Sequence, residues 1–233
     1  MAESGQEMMN SLPDGFRALV IGASGAIGEG FVASLKQDIR CGEIVALSRT
    51  SDLKVDFLDE SSMAHAAQVL KQQSPFHLII CAAGLLHDGA LMPEKKLSDM
   101  NLEHLQKIFA VNTIGPALVL RYFSPLLSAE CSRMIFLSAK VGSIGDNRLG
   151  GWYSYRASKA ALNMLVKTAS IELKRTAPQA IVIALHPGTV NSKLSKPFGG
   201  EVKGRPASVA CQEMLKTIDA LKPEQSGQFL SYS

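Results

Sequence analysis

Tyr155 and Lys159 stand four residues apart in Tyr155-Arg-Ala-Ser-Lys159, within a stretch that carries a helical pattern. Residues i and i+4 are neighbours on one helix face, so this phenol and this ammonium can act on one substrate atom. A phenol titrates near ~10, too high to exchange protons readily at neutral pH. A fixed cation beside it stabilises the phenolate, lowers that value and makes Tyr155 a usable general acid or base. The spacing alone is common by chance and takes its meaning from what lies upstream.

Upstream is Ile21-Gly-Ala-Ser-Gly-Ala-Ile-Gly28, between an apolar run and a helical pattern. In that position, Gly22, Gly25 and Gly28 permit a tight turn, close approach of a phosphate and packing of helix on strand. Backbone N–H groups from Ser24 to Ile27 can then face a pyrophosphate. The alternative is a tight turn with no ligand. Leu47-Ser48-Arg49 ends the second apolar run, where a carboxylate would accept from ribose hydroxyls and repel a 2′-phosphate. Arg49 can instead pair with that phosphate and Ser48 can donate to it, which favours NADP(H) over NAD(H). Asp56 can accept from an adenine amino group or simply cap the following helix. In Asn112-Thr-Ile-Gly-Pro116, proline removes the N–H that the Asn112 carbonyl would use in a helix. That carbonyl can hold a water linking Lys159 to solvent, or the segment is a plain structural kink.

These groups must be held by a framework, and the pattern predicts one. Short continuous apolar runs at 17–21, 43–48, 54–57, 76–82, 133–137 and 180–185 read as strands, with a last edge strand at 227–232. Helical patterns cover 28–36, 63–72, 102–127 (broken at Gly115-Pro116), 153–175 and 209–221. Alternating strands and helices predict a doubly wound α/β domain, with a parallel sheet of about seven strands and helices on both faces. Residues 1–15 read as a disordered lead-in and 16–233 as the domain.

Composition narrows the function further. Hydrophobic residues make up 46% and charged residues 19% of the 233, ordinary for one globular domain, and the net charge is only +3. No dense basic run supports nucleic-acid or membrane-surface binding, and no stretch suits a membrane span, so a cytoplasmic location is expected. Cys41, Cys81, Cys131 and Cys211 are scattered without metal-ligand spacing. The histidines at 65, 77, 87, 104 and 186 form no pair that would suggest zinc. His87-Asp88 can be a substrate contact or an ordinary loop pair. Leu149, Trp152 and Tyr153 can line an apolar pocket or pack in the core. Residues 195–205 read as a loop able to close on substrate.

Together, Gly22-Ala-Ser-Gly-Ala-Ile-Gly28, Ala82-Ala-Gly84, Asn112, Tyr155-Arg-Ala-Ser-Lys159 and His186-Pro-Gly188 resemble the short-chain dehydrogenase/reductase superfamily. Val141-Gly-Ser-Ile-Gly-Asp-Asn147 and the compact loop after Pro187 resemble its carbonyl-reductase and C-factor cell-signalling branch. The resemblance implies a single-domain Rossmann fold and an NAD(P)-dependent oxidoreductase, homodimeric or homotetrameric, exchanging hydride with a small carbonyl or alcohol. Tyr155 would be the proton donor, Lys159 would bind the nicotinamide ribose, and Asn112 would hold the relay water. The implied cofactor contacts add Ala26, Phe57, Ala82, Ala83, Gly84, Pro187, Gly188 and Val190.

The chain departs from the family at three points. Ala26 replaces a usual glycine, and Cys81-Ala-Ala-Gly84 lacks its usual Asn. Counting three residues back from Gly142, where the family has a serine that polarises the substrate oxygen, gives Ala139. Ser138 is the expected substitute and Ser143 the other candidate. If neither serves, the resemblance leaves a C-factor-like dinucleotide-binding signalling protein with little catalysis.

Overall fold

A computed structural model describes residues 6–89 and 91–231. Six parallel strands form one sheet in the order β2-β1-β3-β4-β5-β6: β1 Phe16–Ile21, β2 Cys41–Leu47, β3 Leu78–Cys81, β4 Ser132–Leu137, β5 Ala180–His186 and β6 Phe229–Ser231. Successive side chains of a strand point to opposite faces, and the central strands use both. Ala18, Val20, Leu78, Ile80, Ile181 and Ile183 meet α1 (Ala26–Gln37) and, later in the chain, α7 (Ala207–Asp219). The residues between them, such as Leu19, Ile79 and Val182, meet α2 (Glu60–Lys71), α4 (Gly115–Phe123) and α5 (Tyr153–Leu173). The expected doubly wound α/β domain is therefore present, with α3 (Leu102–Phe109) and the short α6 (Gly200–Lys203) completing the helices.

The strand read at 54–57 is absent. Val55 N–H goes to the Ser48 carbonyl (2.9 Å) and Asp56 N–H to Ser62 Oγ (3.0 Å). The backbone donors of this short connection are thus used on the β2 loop and on α2, and no ladder forms, which leaves β2 at the sheet edge. Residues 6–15, expected as part of a disordered lead-in, are packed: Met8, Met9 and Leu12 join the α1–α7 core. Met8 and Met9 N–H groups both donate to buried Asp38. Apolar side chains at 8, 9 and 12 thus outweigh the polar average of the segment. Residues 1–5 and Tyr232 lie outside the described residues.

The break in the 102–127 pattern is an inserted turn rather than a simple proline stop. Between α3 and α4, residues Ala110–Ile114 form a π-helical turn, in which Gly115 N–H donates to the carbonyl of Ala110 five residues back. Pro116 has no N–H to offer upstream, and such turns are frequent at functional sites. Gly115 is required for packing, because a Cβ there would lie 2.2 Å from the Phe57 ring.

Candidate active site

The sheet register places three strand ends side by side: Ile21 pairs with Leu47 on one side and Cys81 on the other. Gly22 and Ala23 N–H groups donate to the Leu47 carbonyl (2.8 and 3.0 Å), and Ala82 N–H donates to the Ile21 carbonyl (2.8 Å). The loops leaving these ends enclose a cleft of about 480 Å³. Gly22, Ser24 and Gly25 line it from β1, Ser48 and Arg49 from β2, and Ala82, Ala83 and Gly84 from β3. Asp56 and Phe57 close one side, as do Lys107 and Val111, which no sequence motif marks.

Two features of the cleft suit a dinucleotide phosphate. No side chain caps the first turn of α1, so its N–H groups remain available, and an uncapped helix N-terminus attracts anions. The helix also sits unusually close to the loop. A Cβ at Gly28 would lie 2.2 Å from the Gly22 carbonyl oxygen, and one at Gly22, where φ is +85°, would lie 2.7 Å from Ala83 N. Gly28 therefore works from beneath, buried in α1, and neither Gly28 nor Ala26 lines the cleft. Arg49 is exposed at the rim. The Ser48 hydroxyl accepts from Thr50 N–H (3.1 Å), which orders the turn carrying Arg49. Asp56 accepts from Leu58 N–H (3.1 Å) and faces Lys54 at 3.5 Å.

A second cavity of about 350 Å³ adjoins α5, lined by Tyr155, Ser138, Ala139, Ile27 and the Pro187–Val190 turn, where Gly188 has φ +66°. Its apolar wall is Trp152, Phe198, Leu194 and Leu86. The Trp152 and Phe198 rings meet edge to face at 4.9 Å. Tyr155 and Lys159 both lie on the buried face of α5. Tyr155 lines this second cavity, whereas Lys159 reaches toward the first, since a Cβ at Gly84 would lie 3.6 Å from both Lys159 Nζ and Asn112 Oδ1. Gly142 lets the turn after β4 lie against α5, because a Cβ there would come 2.8 Å from Lys159 Cβ.

The Asn112 side chain makes three of its four possible hydrogen bonds. Its Oδ1 accepts from Leu85 N–H (2.8 Å), and its Nδ2 donates to the Leu85 carbonyl (2.7 Å) and to Ser158 Oγ (3.2 Å). Asn112 thus ties the β3 loop to α5 through its side chain, a role that the missing proline N–H did not suggest.

Lys159 donates to the Leu137 carbonyl (2.9 Å), and its Nζ lies 5.9 Å from the centre of the Tyr155 ring. Burial pushes the Lys159 ammonium down to about 8. Burial likewise pushes the Tyr155 phenol up to about 12. The expected lowering of Tyr155 by its neighbour is therefore not found in this state: with the ammonium turned toward β4, desolvation of the phenolate dominates. Tyr155 stands as a protonated acid at neutral pH.

Ser138 does not take the place of the missing serine in this geometry. Its Oγ donates to Asn163 Oδ1 at 2.6 Å, so its one proton is directed into α5. Ala139 clusters with Tyr155 and Leu86, and Ser143 lines neither cavity. His87 packs edge to face on Phe198 (5.8 Å), while Asp88 pairs with Lys107. Among the described residues, no group of three or more His, Cys, Asp or Glu could hold a metal ion.

This arrangement matches known proteins. The family model for short chain dehydrogenase matches residues 40–202. The 1-hydroxy-2-glutathionyl-2-methyl-3-butene dehydrogenase of Rhodococcus sp. (strain AD45) is 30% identical over 187 residues, covering 80% of this chain and 79% of that protein. The C-signal protein of Myxococcus xanthus is 36% identical over 138 residues, covering 58% of this chain and 79% of its own length. Among solved structures, NADPH-bound carbonyl reductase from chicken fatty liver superposes with a TM-score of 0.79 at 26% identity, over 95% of this chain and 97% of that one. The carbonyl reductase Sniffer of D. melanogaster reaches 0.82 at 20% identity, over 94% and 96%, a likeness of fold alone. The chain belongs to the short-chain dehydrogenase family and is an oxidoreductase of that family.

Proposed function

We propose that the protein is an NADP(H)-preferring reductase of small carbonyl compounds, running between a carbonyl and its alcohol. The observation that carries this reading is the placement of α5. One helix face presents Tyr155 to the apolar cavity and carries the Lys159 ammonium behind Gly84, which lines the adjoining cleft. The bare α1 N-terminus and the loop glycines fit a pyrophosphate, and Arg49 with Ser48 fits a 2′-phosphate where no carboxylate stands in the way. When bound, a nicotinamide dinucleotide supplies the hydride.

The chain's own residues do the rest. Tyr155, protonated at neutral pH, gives its proton to the carbonyl oxygen when the reaction runs as a reduction. Lys159 holds the ribose and, turned from Leu137, stabilises the phenolate left behind. Asn112 holds Leu85 in place and stands beside Lys159 on the proton path. Trp152, Phe198 and Leu86 exclude water from the reacting carbonyl. Ser138 can polarise that oxygen only if the backbone after β4 shifts and its hydroxyl leaves Asn163. The same reading places the chain in the cytoplasm as a homodimer or homotetramer.

The test is Tyr155→Phe, assayed with NADPH against aldehydes, ketones and quinones. Turnover is expected to vanish while the thermal shift given by NADPH stays near wild type; unchanged turnover would refute the assignment. Ala139 and the Ser138–Asn163 bond favour a second reading, a dinucleotide-binding signalling protein with little catalysis. The wild-type protein failing to oxidise NADPH above background on the whole panel would favour that alternative.

A further inference from the structure

Glu94 is 2% exposed, on the connection between β3 and α3, and it directs both its backbone and its side chain at the start of α5. Its carbonyl accepts from Trp152 N–H at 2.5 Å. Its carboxylate accepts from Ser154 N–H at 3.2 Å and from the Ser154 hydroxyl, and lies 3.5 Å from His104 Nδ1. A carboxylate at this point also complements the positive end of the helix.

The segment being held is unusual. Gly150, Gly151 and Trp152 run in left-handed backbone at φ 63°, 62° and 53°, and Trp152 is the one non-glycine residue with positive φ among the described residues. A bulky side chain keeps that conformation only where its surroundings impose it. Here Arg156 holds the carbonyls of Gly151 (2.9 Å) and Gly150 (3.0 Å), and Glu94 holds the N–H of Trp152. The α5 start has no cap from Trp152 itself, and the Glu94 carboxylate takes over that function. The held segment leads straight into the active site: the Trp152 ring stands 6.2 Å from the Tyr155 ring and forms a wall of the substrate cavity.

We propose that Glu94 is the positioning residue of this site, fixing the first turn of α5 and through it both the reach of the Tyr155 hydroxyl and the stance of Trp152. The proposal rests on the reading of Tyr155 as proton donor. Glu94→Ala removes both side-chain acceptors, whereas Glu94→Gln keeps one carbonyl oxygen for Ser154 N–H. Trp152 is the only tryptophan in the chain, so its fluorescence reports the segment without reference to catalysis.

In Glu94→Ala, kcat is expected to fall by about a hundredfold, the penalty typical of a misplacement near 1 Å, with NADPH binding unchanged. Quenching of Trp152 by acrylamide should rise, and Glu94→Gln should recover part of both effects. A merely structural glutamate would lower the melting temperature but leave kcat per NADPH-binding site and Trp152 quenching as in wild type, which would overturn the proposal. Should Glu94→Ala fail to fold, Glu94→Gln and Ser154→Ala decide by the same criteria. Turnover surviving Tyr155→Phe would sink the reading beneath, whereas unaltered Trp152 quenching in the Glu94 variants would sink this inference alone.

Discussion

Lys159→Met separates what Lys159 does for chemistry from what it costs the fold. The side chain is 3% exposed, and its ammonium titrates at about 8 rather than 10.5 because burial disfavours the charged form. At about 1.4 kcal/mol for each step in pKa, the charged side chain is disfavoured in the fold by about 3 kcal/mol at pH 7. The native value lies below the unfolded one, so between pH 8 and 10.5 the unfolded chain holds a proton that the native chain has lost. Stability contributed by this group therefore rises with pH across that window, and only about 1 kcal/mol of the penalty remains at pH 10. Tyr155 acts in the opposite sense but only above pH 10, where the unfolded phenol ionises and the native one does not.

Methionine removes the charge and the bond to the Leu137 carbonyl, whose loss costs about 1–3 kcal/mol. The variant should then be about as stable as wild type at pH 7 and less stable at pH 10, with turnover abolished at both. Urea unfolding of the cofactor-free proteins at pH 7, 8, 9 and 10 measures this. Wild type should gain about 2–3 kcal/mol on the variant across the series. Parallel curves would show that the ammonium is not desolvated, and the account of its pKa would fall.

Arg49→Asp should raise the KM for NADPH by about ten- to a hundredfold, the worth of a charge-assisted bond, and leave NADH unaffected or improved; an unchanged KM ratio would remove the basis for the NADP(H) preference. Gly28→Ala puts a methyl 2.2 Å from the Gly22 oxygen, so α1 must lift from the loop. Overpacking of this kind costs about 1–3 kcal/mol, and both urea stability and the NADPH thermal shift should drop. Ala139→Ser adds a hydroxyl beside Tyr155 and Leu86. If the wild type lacks an oxyanion donor, kcat should rise by about a hundred- to a thousandfold, since one donor is worth about 2.7–4 kcal/mol; an unchanged kcat would mean that another group already serves.

Much of the fold was legible because buried parallel strands announce themselves as continuous apolar runs, and all six described strands were read within two residues of their ends. The segment at 54–57 misled because Val55 and Phe57 are apolar for another reason: they pack under the cleft and against the π-helical turn. Local pattern cannot distinguish a strand from an extended segment whose donors go to side chains. The same limit hid Met8, Met9 and Leu12, whose partners Asp38, Phe31 and Met214 lie far along the chain. Glu94 was invisible for a related reason. It meets Ser154 across 60 residues, and nothing in its own neighbourhood marks it as a helix cap.

The exchange between Ser138 and Ala139 was, by contrast, open to reasoning from strand geometry. Side chains alternate along β4, so Met134 and Phe136 face α4 and α5 while Ile135 and Leu137 face α1 and α7. Extended backbone persists past the strand end, with Ala139 at φ −146° and ψ 144°, so the alternation persists as well. Ser138 must then point where Phe136 points, into the body of α5, and there it finds Asn163. Ala139 takes the opposite side, toward Tyr155. A one-residue displacement of a hydroxyl along an extended chain is a reversal of direction, not a small shift, and a substitute at 138 needs more than rotamer freedom to reach a substrate oxygen. The donor for that oxygen must come from another element, from solvent, or not at all, and the kcat of Ala139→Ser shows whether a donor is already in place.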